Sequence, residues 1–561
     1  MKKFFIFILS FIFSFHAFAG TISDVQVIEE NNPVYDKINE LSRESKILMT
    51  VKSYPLTVGE MKVFFEQIDY EKLSISGKET YAQVKDFLYQ KPVRYQDWGG
   101  FRLTGDIEIT PEGYFCTNEN VPVAHGLNFQ NDFLRGPVDF AVSPYVGIGL
   151  VPYIGKKSFY MQKPTNMHNL PLSAFEFEFV MPKFAYGSLG YFGENWNLCL
   201  RTGKEGLSIG KTTNGSIIYN QTFETDAYVQ FLASTKRFSY SMDAVQIDRE
   251  KYLYLHQLDV RFWNNFTVSL LEGTMAVNPF ELRYLNPLMI MHSFDGWDNY
   301  RSDEQKKIDD KMKNKWRCQN EWNFCAYFCA MFEYIPFSNS RIYLLYSQNE
   351  LRAPGEGEDT NPNSFGLQFG VDYDVPLSNK GRIYTNGEFF YATPFMYIKQ
   401  QKKSCLYREQ RDAAGKITYT WIGLPYGPDC MGGSLTLGYK MGSKWSVEFD
   451  YLFKAKGQID FGTLEETMIV GEVGDSEKYV VSSYYPTCTE SNNKDLIKSM
   501  LPTGIVEYMN RFGMKGVYNL NRKISFASQV VFTQLLNAAH IKDNSQSGLE
   551  ADISCTWRIH Q

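Results

Sequence analysis

Short alternating segments dominate the chain after residue 97, and residues 445–453 (WSVEFDYLF) show the pattern most clearly. The odd-numbered positions from Trp445 to Phe453 are apolar or aromatic, whereas Ser446, Glu448 and Asp450 between them are polar. A period of two places neighbouring side chains on opposite faces of a β-strand. The same alternation runs through residues 101–109 and 175–179. The sequence therefore predicts a large sheet with one apolar face.

The first residues indicate which solvent meets that apolar face. Lys2 and Lys3 precede a run of Phe, Ile and Leu, and the run ends at Ala17 and Ala19 in an A-x-A pattern. This order is typical of a secretory signal peptide, predicted to span residues 1–19. No uninterrupted apolar segment of about twenty residues follows, so an exported chain that enters a membrane is expected to do so as a closed barrel. The predicted fold is all-β, a large antiparallel transmembrane β-barrel in the bacterial outer membrane.

Composition supports this class. Aromatic residues make up 16% of the chain and there are 42 glycines, which suits a barrel with aromatic lipid-facing girdles and glycine at turns. Residues 98–561 would hold about 16–20 strands. The net charge of −6 is too weak over this length to favour a nucleic-acid partner, which would need a basic patch. Nine cysteines are an odd number, and Cys325 and Cys329 are expected to share one face of a strand as small apolar residues or as part of an undetermined disulfide.

Residues 20–97 carry helical signals instead of alternation. A capping box at residues 57–60 (TVGE) and a similar pattern at residues 76–79 (SGKE) predict the starts of two helices. Met61, Phe64 and Ile68 recur at helical spacing in the first of them, so each helix is expected to bury one apolar stripe. We predict a small periplasmic helical region that forms a hairpin or closes one end of the barrel.

One catalytic pattern occurs, at residues 206–210 (GLSIG), where Ser208 would be the nucleophile of a G-x-S-x-G motif. That motif requires a strand before the serine and a helix directly after it. Here a turn and another strand follow, so the favoured interpretation is a glycine-rich strand or loop where a bulky side chain would not fit. The sequence predicts no enzyme, no metal site and no cofactor.

A different cluster combines charge with aromatic side chains. Glu272, Arg283 and Asn286 interrupt the very apolar residues 270–292, with Tyr284 and Trp297 close in sequence. A charge in such a segment is tolerated when it faces the lumen and is paired. Hydrogen bonds and aromatic stacking from these five residues are predicted to bind a sugar; the alternative is a lumenal salt-bridge network that holds a plug or loop. Residues 301–317, 399–418 and 475–498 are expected to be long polar loops.

The order of several motifs resembles the outer-membrane capsule assembly family called Wzi. The segments that carry the resemblance are residues 54–60 (YPLTVGE), 200–210 (LRTGKEGLSIG), 216–219 (SIIY), 285–288 (LNPL), 342–350 (IYLLYSQNE), 361–366 (NPNSFG), 387–397 (GEFFYATPFMY) and 427–429 (GPD). The resemblance spans most of the chain after residue 53. It implies an eighteen-stranded barrel with a periplasmic helical bundle that acts as a lectin and holds capsular polysaccharide.

We therefore expect a non-catalytic outer-membrane barrel that binds or retains extracellular polysaccharide at the cell surface. Its expected partners are outer-membrane lipid, the polysaccharide and the barrel assembly machinery, and it is expected to be a monomer. Two alternatives remain, namely a porin-like channel for small solutes and an outer-membrane serine hydrolase that uses Ser208.

Overall fold

The alternating segments form one closed antiparallel barrel of 18 strands. The computed structural model describes residues 23–559 except 31, 90–95, 98–101, 106, 119–120, 122–130, 157–167, 171–176, 205, 221–225, 278, 289–290, 292–323, 351–361, 400–401, 412–416, 463–466, 474–476, 484–495 and 497. The predicted signal peptide lies outside the described residues. The predicted fold class is confirmed.

The strands that precede the middle of the chain are β1 (Ser53–Tyr54), β2 (Gln96–Asp97), β3 (Arg102–Gly105), β4 (Ile107–Ile109), β5 (Glu112–Cys116), β6 (Leu134–Arg135), β7 (Val138–Ser143), β8 (Val146–Lys156), β9 (Phe177–Phe192), β10 (Trp196–Lys204), β11 (Ser208–Ile209), β12 (Ala227–Thr235), β13 (Phe238–Asp248), β14 (Lys251–Trp263) and β15 (Phe266–Ala276). Those that follow are β16 (Phe324–Tyr334), β17 (Ser340–Glu350), β18 (Ser364–Pro376), β19 (Gly381–Ala392), β20 (Tyr407–Arg411), β21 (Ile417–Trp421), β22 (Cys430–Met441), β23 (Trp445–Lys456), β24 (Thr467–Val473), β25 (Glu477–Ser483), β26 (Glu507–Asn519), β27 (Ile524–Leu536) and β28 (Gln546–Ile559). Three α-helices, α1 (Val34–Ser45), α2 (Val58–Phe65) and α3 (Ile75–Tyr89), precede the barrel, and single 3-10 turns lie at Tyr70–Lys72, Leu282–Leu285, Lys402–Ser404 and Ala538–His540.

The last strand of the barrel, β28, closes it against segments near the start of the barrel, β4 and β5. β28 pairs antiparallel with β4 and with β5, and its Ile553 and Trp557 are exposed on the outer face. Residues 546–559 thus form the closing strand of the barrel. In the described part of the chain, three pairs of strands, β1–β11, β20–β21 and β24–β25, lie outside the barrel sheet. The other 22 segments make up the 18 barrel strands, because β3–β5 form one interrupted strand, β6 and β7 form another, and β2 is a short edge segment paired with β3.

The two faces of β23 are those that its sequence predicts. Val447 and Phe449 are exposed on the outer face. On the inner face, the Glu448 carboxylate accepts a hydrogen bond of 2.9 Å from Tyr384, and Asp450 pairs with Arg511 at 2.6 Å. The wall therefore has an apolar outside and a polar lumen along this strand, as a lipid-facing sheet requires.

The two ends of the barrel differ in the length of their connections. Turns such as residues 236–237, 264–265 and 442–444 join strands at one end, which we call the short-turn end. Connections such as residues 393–429 and 457–506 lie at the other, the long-loop end. In outer-membrane barrels the short turns face the periplasm and the long loops face outward.

The helices begin at residues that differ in part from the predicted ones. Thr57 and Glu60 form the predicted capping box at the start of α2, which is confirmed. The start of α3 at Ser76 is wrong, because the Ser74 hydroxyl accepts from the Gly77 backbone N–H at 3.0 Å and the helix begins at Ile75. Ser76 is instead buried within the helix. No helix among the described residues is long and apolar enough to cross a membrane.

Buried ion pairs fix the helical region in the short-turn mouth of the barrel. The Arg382 guanidinium on the lumenal face of β19 contacts Glu40 at 3.1 Å and also pairs with Glu44, both on α1. Lys52 pairs with Glu333 of β16. The chain thus closes the short-turn end with its own first residues, the second of the two arrangements predicted.

Acidification is expected to weaken this docking. Burial raises the pKa of Glu40, but the charges of Lys440 and Arg382 outweigh it and hold that pKa below its usual value of 4.5. A carboxyl with a lowered folded pKa stabilises above its unfolded pKa and loses that contribution as the pH falls through its folded pKa. The free energy of unfolding should therefore fall below about pH 4.5 in urea titrations. Glu40→Gln should flatten this part of the pH dependence, and equal slopes for the two proteins would contradict the assignment.

Candidate functional site

Residues 207–219 cross the lumen instead of projecting from the barrel. They pair with the N-terminal residues through β1 and β11, where Ser53 lies opposite Ile209. Farther along, the Ile217 N–H donates to Gln368 of β18 at 3.0 Å, and the Tyr327 hydroxyl of β16 donates to the Ile217 carbonyl oxygen at 3.2 Å. Because these partners lie on separate strands of the wall, the segment occupies the middle of the barrel.

Glu388 on the inner face of β19 holds this segment to the wall. Its carboxylate accepts from the Thr213 and Asn214 backbone N–H groups at 2.9 and 3.0 Å. It also accepts from Gln368 at 2.8 Å and from the Tyr343 hydroxyl. Hydrogen bonds to a carboxylate are among the stronger ones in proteins, and here they join three strands of the wall, β17, β18 and β19, to the segment. Glu388 therefore anchors the lumenal segment.

A second segment, made of the described residues between 393 and 426, lies over the first toward the long-loop end. The Asn220 N–H donates to the Ile422 carbonyl oxygen at 2.7 Å, and the Tyr397 hydroxyl donates to the Ile217 carbonyl oxygen at 2.7 Å. Burial raises the pKa of the Cys405 thiol to about 11, so this cysteine is protonated at neutral pH and unreactive. We call the helical region, residues 207–219 and residues 393–426 together the interior column.

The cysteines have structural positions. Cys325 and Cys329 share the lumenal face of β16, as predicted, and both are buried against the interior column. Seven cysteines lie in the described part of the chain, and four of them are free thiols: Cys116, Cys329, Cys430 and Cys555. Within the same residues, no group of three or more His, Cys, Asp or Glu side chains is placed to hold a metal ion.

Aromatic side chains gather where the interior column reaches the long-loop end. Trp421 and Phe461 stack with ring centroids 3.9 Å apart, Tyr419 stacks on Phe461 at 4.9 Å, and Tyr407 meets Phe461 edge-on at 4.6 Å. Lys402 lies 5.1 Å from the ring centre of Tyr419. We call these five residues the loop-end aromatic cluster. Tyr419, Phe461 and Lys402 are partly exposed, so the cluster presents an apolar face beside a positive charge.

The paired strands that carry three of these rings, Tyr407 of β20 and Tyr419 and Trp421 of β21, are held down by a buried ion pair. Arg408 of β20 donates to the Asp226 carboxylate at 2.5 Å and lies 4.9 Å from the ring centre of Tyr219. Part of the predicted polar loop at residues 399–418 is therefore in strands, since β20 and the start of β21 lie within it and pair with each other. The sequence signal for the loop-end aromatic cluster is the spacing of aromatic residues on either side of the polar stretch in residues 399–418. This spacing alone does not show that these residues meet Phe461.

Of the five predicted sugar-binding residues, the four that the structure describes do not meet in the lumen. Glu272 projects from the outer face of β15, because its neighbours Leu271 and Gly273 face inward. Arg283, Tyr284 and Asn286 lie in the connection after β15, where Arg283 pairs with Glu281 at 2.7 Å. The prediction that Glu272 faces the lumen is therefore wrong. Trp297 lies outside the described residues. Ligand binding by this set stays a prediction.

Ser208 does not lie in a nucleophile elbow. It begins the two-residue strand β11, its hydroxyl is buried, and it donates to the Glu30 carboxylate. Gly210 has a φ of +76°, and a Cβ there would come within 2.8 Å of the Met331 sulfur. The glycine-rich interpretation is thus confirmed, since a side chain at residue 210 would collide with the wall.

These features define a class of protein, a transmembrane β-barrel of the outer-membrane type whose lumen contains its own chain. Its fold is similar to that of Wzi from Escherichia coli, described as a carbohydrate-binding barrel involved in group 1 capsule assembly, with a TM-score of 0.57 and 10% identity over 94% of this chain and 99% of that one. Pseudomonas aeruginosa OprD gives a TM-score of 0.40 and 9% identity over 82% and 95% of the two chains. No protein-family model and no characterised protein sequence matches the chain. The predicted resemblance is confirmed at the level of the fold.

Proposed function

We propose that this protein is a non-catalytic outer-membrane barrel that binds extracellular or capsular polysaccharide and retains it at the cell surface. The observation that carries the proposal is the interior column, which fills the lumen beneath an aromatic, positively charged surface at the long-loop end. Export by the signal peptide, insertion by the barrel assembly machinery and a monomeric state belong to the same proposal.

The interior column argues against the channel alternative. Residues 207–219 contact the wall through Gln368, Tyr327 and Glu388, which lie on three different strands. A solute would have to displace these hydrogen bonds and the apolar core around Ile217 to pass. A barrel of this kind presents its ligand surface at its ends instead of along a pore.

The loop-end aromatic cluster has the chemistry that sugar recognition needs. The apolar face of a sugar ring can stack on Tyr419 or Phe461, while the Lys402 ammonium can donate to hydroxyl groups or pair with the carboxylates of an acidic glycan. Wzi, which shares the fold, is described as carbohydrate-binding, and this supports the same ligand class here.

Glycan retention tests the proposal. In a strain that lacks the protein, the wild-type gene should restore surface polysaccharide, whereas Tyr419→Ala combined with Lys402→Ala should lower glycan binding by purified protein about tenfold, or about 1.4 kcal/mol. Tyr70→Ala is the matched control, because Tyr70 is an exposed aromatic residue at the opposite end of the molecule. Full surface polysaccharide in the deletion strain, with no binding on a glycan array, would refute the function.

A further inference from the structure

The chain that follows β15 folds back over the outside of the barrel. On β14, Leu253 and Leu255 face the lumenal core, so Tyr254 and His256 face outward. Tyr284 stacks on Tyr254 with ring centroids 4.4 Å apart and an interplanar angle of 17°. We call residues 279–288 the outer-wall segment.

Hydrogen bonds fix the backbone of the segment to the same wall. The Glu281 N–H donates to the Tyr254 hydroxyl at 3.0 Å, and His256 Nε2 lies 2.8 Å from the Tyr284 carbonyl oxygen. The Tyr240 hydroxyl of β13 donates to the Pro287 carbonyl oxygen at 3.4 Å. Because Tyr240 and His256 belong to adjacent strands, the segment runs across the wall instead of standing away from it.

The position of His256 along β14 sets the depth of the segment. Trp263, at the short-turn end of this strand, is exposed in the manner of an interfacial aromatic girdle. At about 2.5 Å of height per residue in a tilted strand, His256 lies about 18 Å above Trp263. The apolar belt of such barrels is about 25 Å tall, so the part of the segment that meets His256 and Tyr240 lies within it.

The segment shields polar groups that would otherwise face lipid. Glu272 lies directly opposite His256 in the β14–β15 register, on the outer face. Thr274 and Ala276 also face outward, yet both are buried. A charged group on the lipid face of a barrel is destabilising, and a covering segment reduces that cost. The outer-wall segment thus covers a polar patch of the barrel wall. The outer surface of the segment is then exposed in place of that patch.

Two leucines project from that surface, beside exposed Arg283 and Asn286. Leu282 is 76% exposed and Leu288 is 91% exposed, while Glu281 and Arg283 pair with each other. The exposed leucines adjoin the lipid-facing wall, where Leu270 and Phe328 are also exposed. We propose that the outer-wall segment is embedded in the membrane and that Leu282 and Leu288 contact lipid acyl chains.

Photocrosslinking tests this placement. Leu288 is replaced by p-benzoylphenylalanine in the full-length protein, reconstituted in dioleoylphosphatidylcholine vesicles and irradiated. The same replacement at Leu270 serves as the lipid-facing reference. Replacement at Ile75 serves as the control, because Ile75 is an exposed apolar residue of the helical region. Heat-modified gel migration shows whether each variant is folded.

We expect phosphatidylcholine adducts at residue 288 within about twofold of those at residue 270 and at least fivefold above those at residue 75. Adducts no more frequent than at residue 75 would overturn the proposal, and so would a crosslinked dimer, which would identify a second copy of the chain as the occupant. The result does not depend on glycan binding, so the two proposals can fail separately.

Discussion

Arg382→Ala is expected to destabilise the docked helical region by about 3–5 kcal/mol. The side chain is 1% exposed and lies among three carboxylates, those of Glu40, Glu44 and Asp374. Removal of the guanidinium leaves Glu44 buried without this cation, while Glu40 keeps Lys440 and Asp374 keeps Arg43 as a partner. A buried charge that loses its partner costs more than the pair itself contributes. The large expected effect therefore comes mainly from Glu44.

Urea unfolding and limited proteolysis of the helical region measure this effect. Lys380→Ala is the control, because Lys380 is exposed, lies close in sequence and pairs with Glu79 at 3.2 Å. An exposed pair contributes less than about 1 kcal/mol, so this control should unfold almost as the wild type does. If both variants unfold alike, Arg382 does not hold the helical region in place.

Glu388→Ala is expected to release residues 207–219 from the wall. The substitution leaves the Thr213 and Asn214 N–H groups and the Gln368 amide without their acceptor, at about 1–3 kcal/mol for each buried donor. Backbone amides in residues 207–219 should then exchange with solvent at least tenfold faster. In planar bilayers the wild type should pass no steady current, whereas the variant should show intermittent openings.

Glu448→Ala controls for the loss of a lumenal carboxylate. Glu448 also lies on the inner face of the wall, but its partner there, Tyr384, does not belong to the interior column. This variant should remain electrically silent. A steady current from the wild-type protein would favour the channel alternative, and unchanged exchange in Glu388→Ala would show that other contacts hold the segment.

The sequence predicts the barrel wall better than it predicts the segments inside the lumen. Alternation assigns Val447 and Phe449 to the lipid face and Glu448 to the lumen because membrane and water select opposite side chains at each step of a strand. The capping box at Thr57 is equally local, since its hydrogen bonds join residues three apart. Neither prediction depends on contacts between distant parts of the chain.

The face of Glu272 could not be predicted in this way. The rule that polar residues face the lumen assumes a lumen filled with water, but β15 packs Leu271 and Met275 against the apolar interior column. With apolar groups on both faces, polarity no longer distinguishes inside from outside. The loop-end aromatic cluster could not be predicted for a related reason, since Trp421 and Phe461 meet only after two long connections have folded.

The short pairing of β1 with β11 has a mechanical consequence. It joins the helical region to residues 207–219, which are hydrogen-bonded in turn to residues 393–426. The polypeptide thus has a continuous path of noncovalent contacts inside its wall, from one side of the bilayer to the other. Tension applied at the long-loop end is shared between the wall and this internal path, so the short-turn end of the molecule bears part of the load.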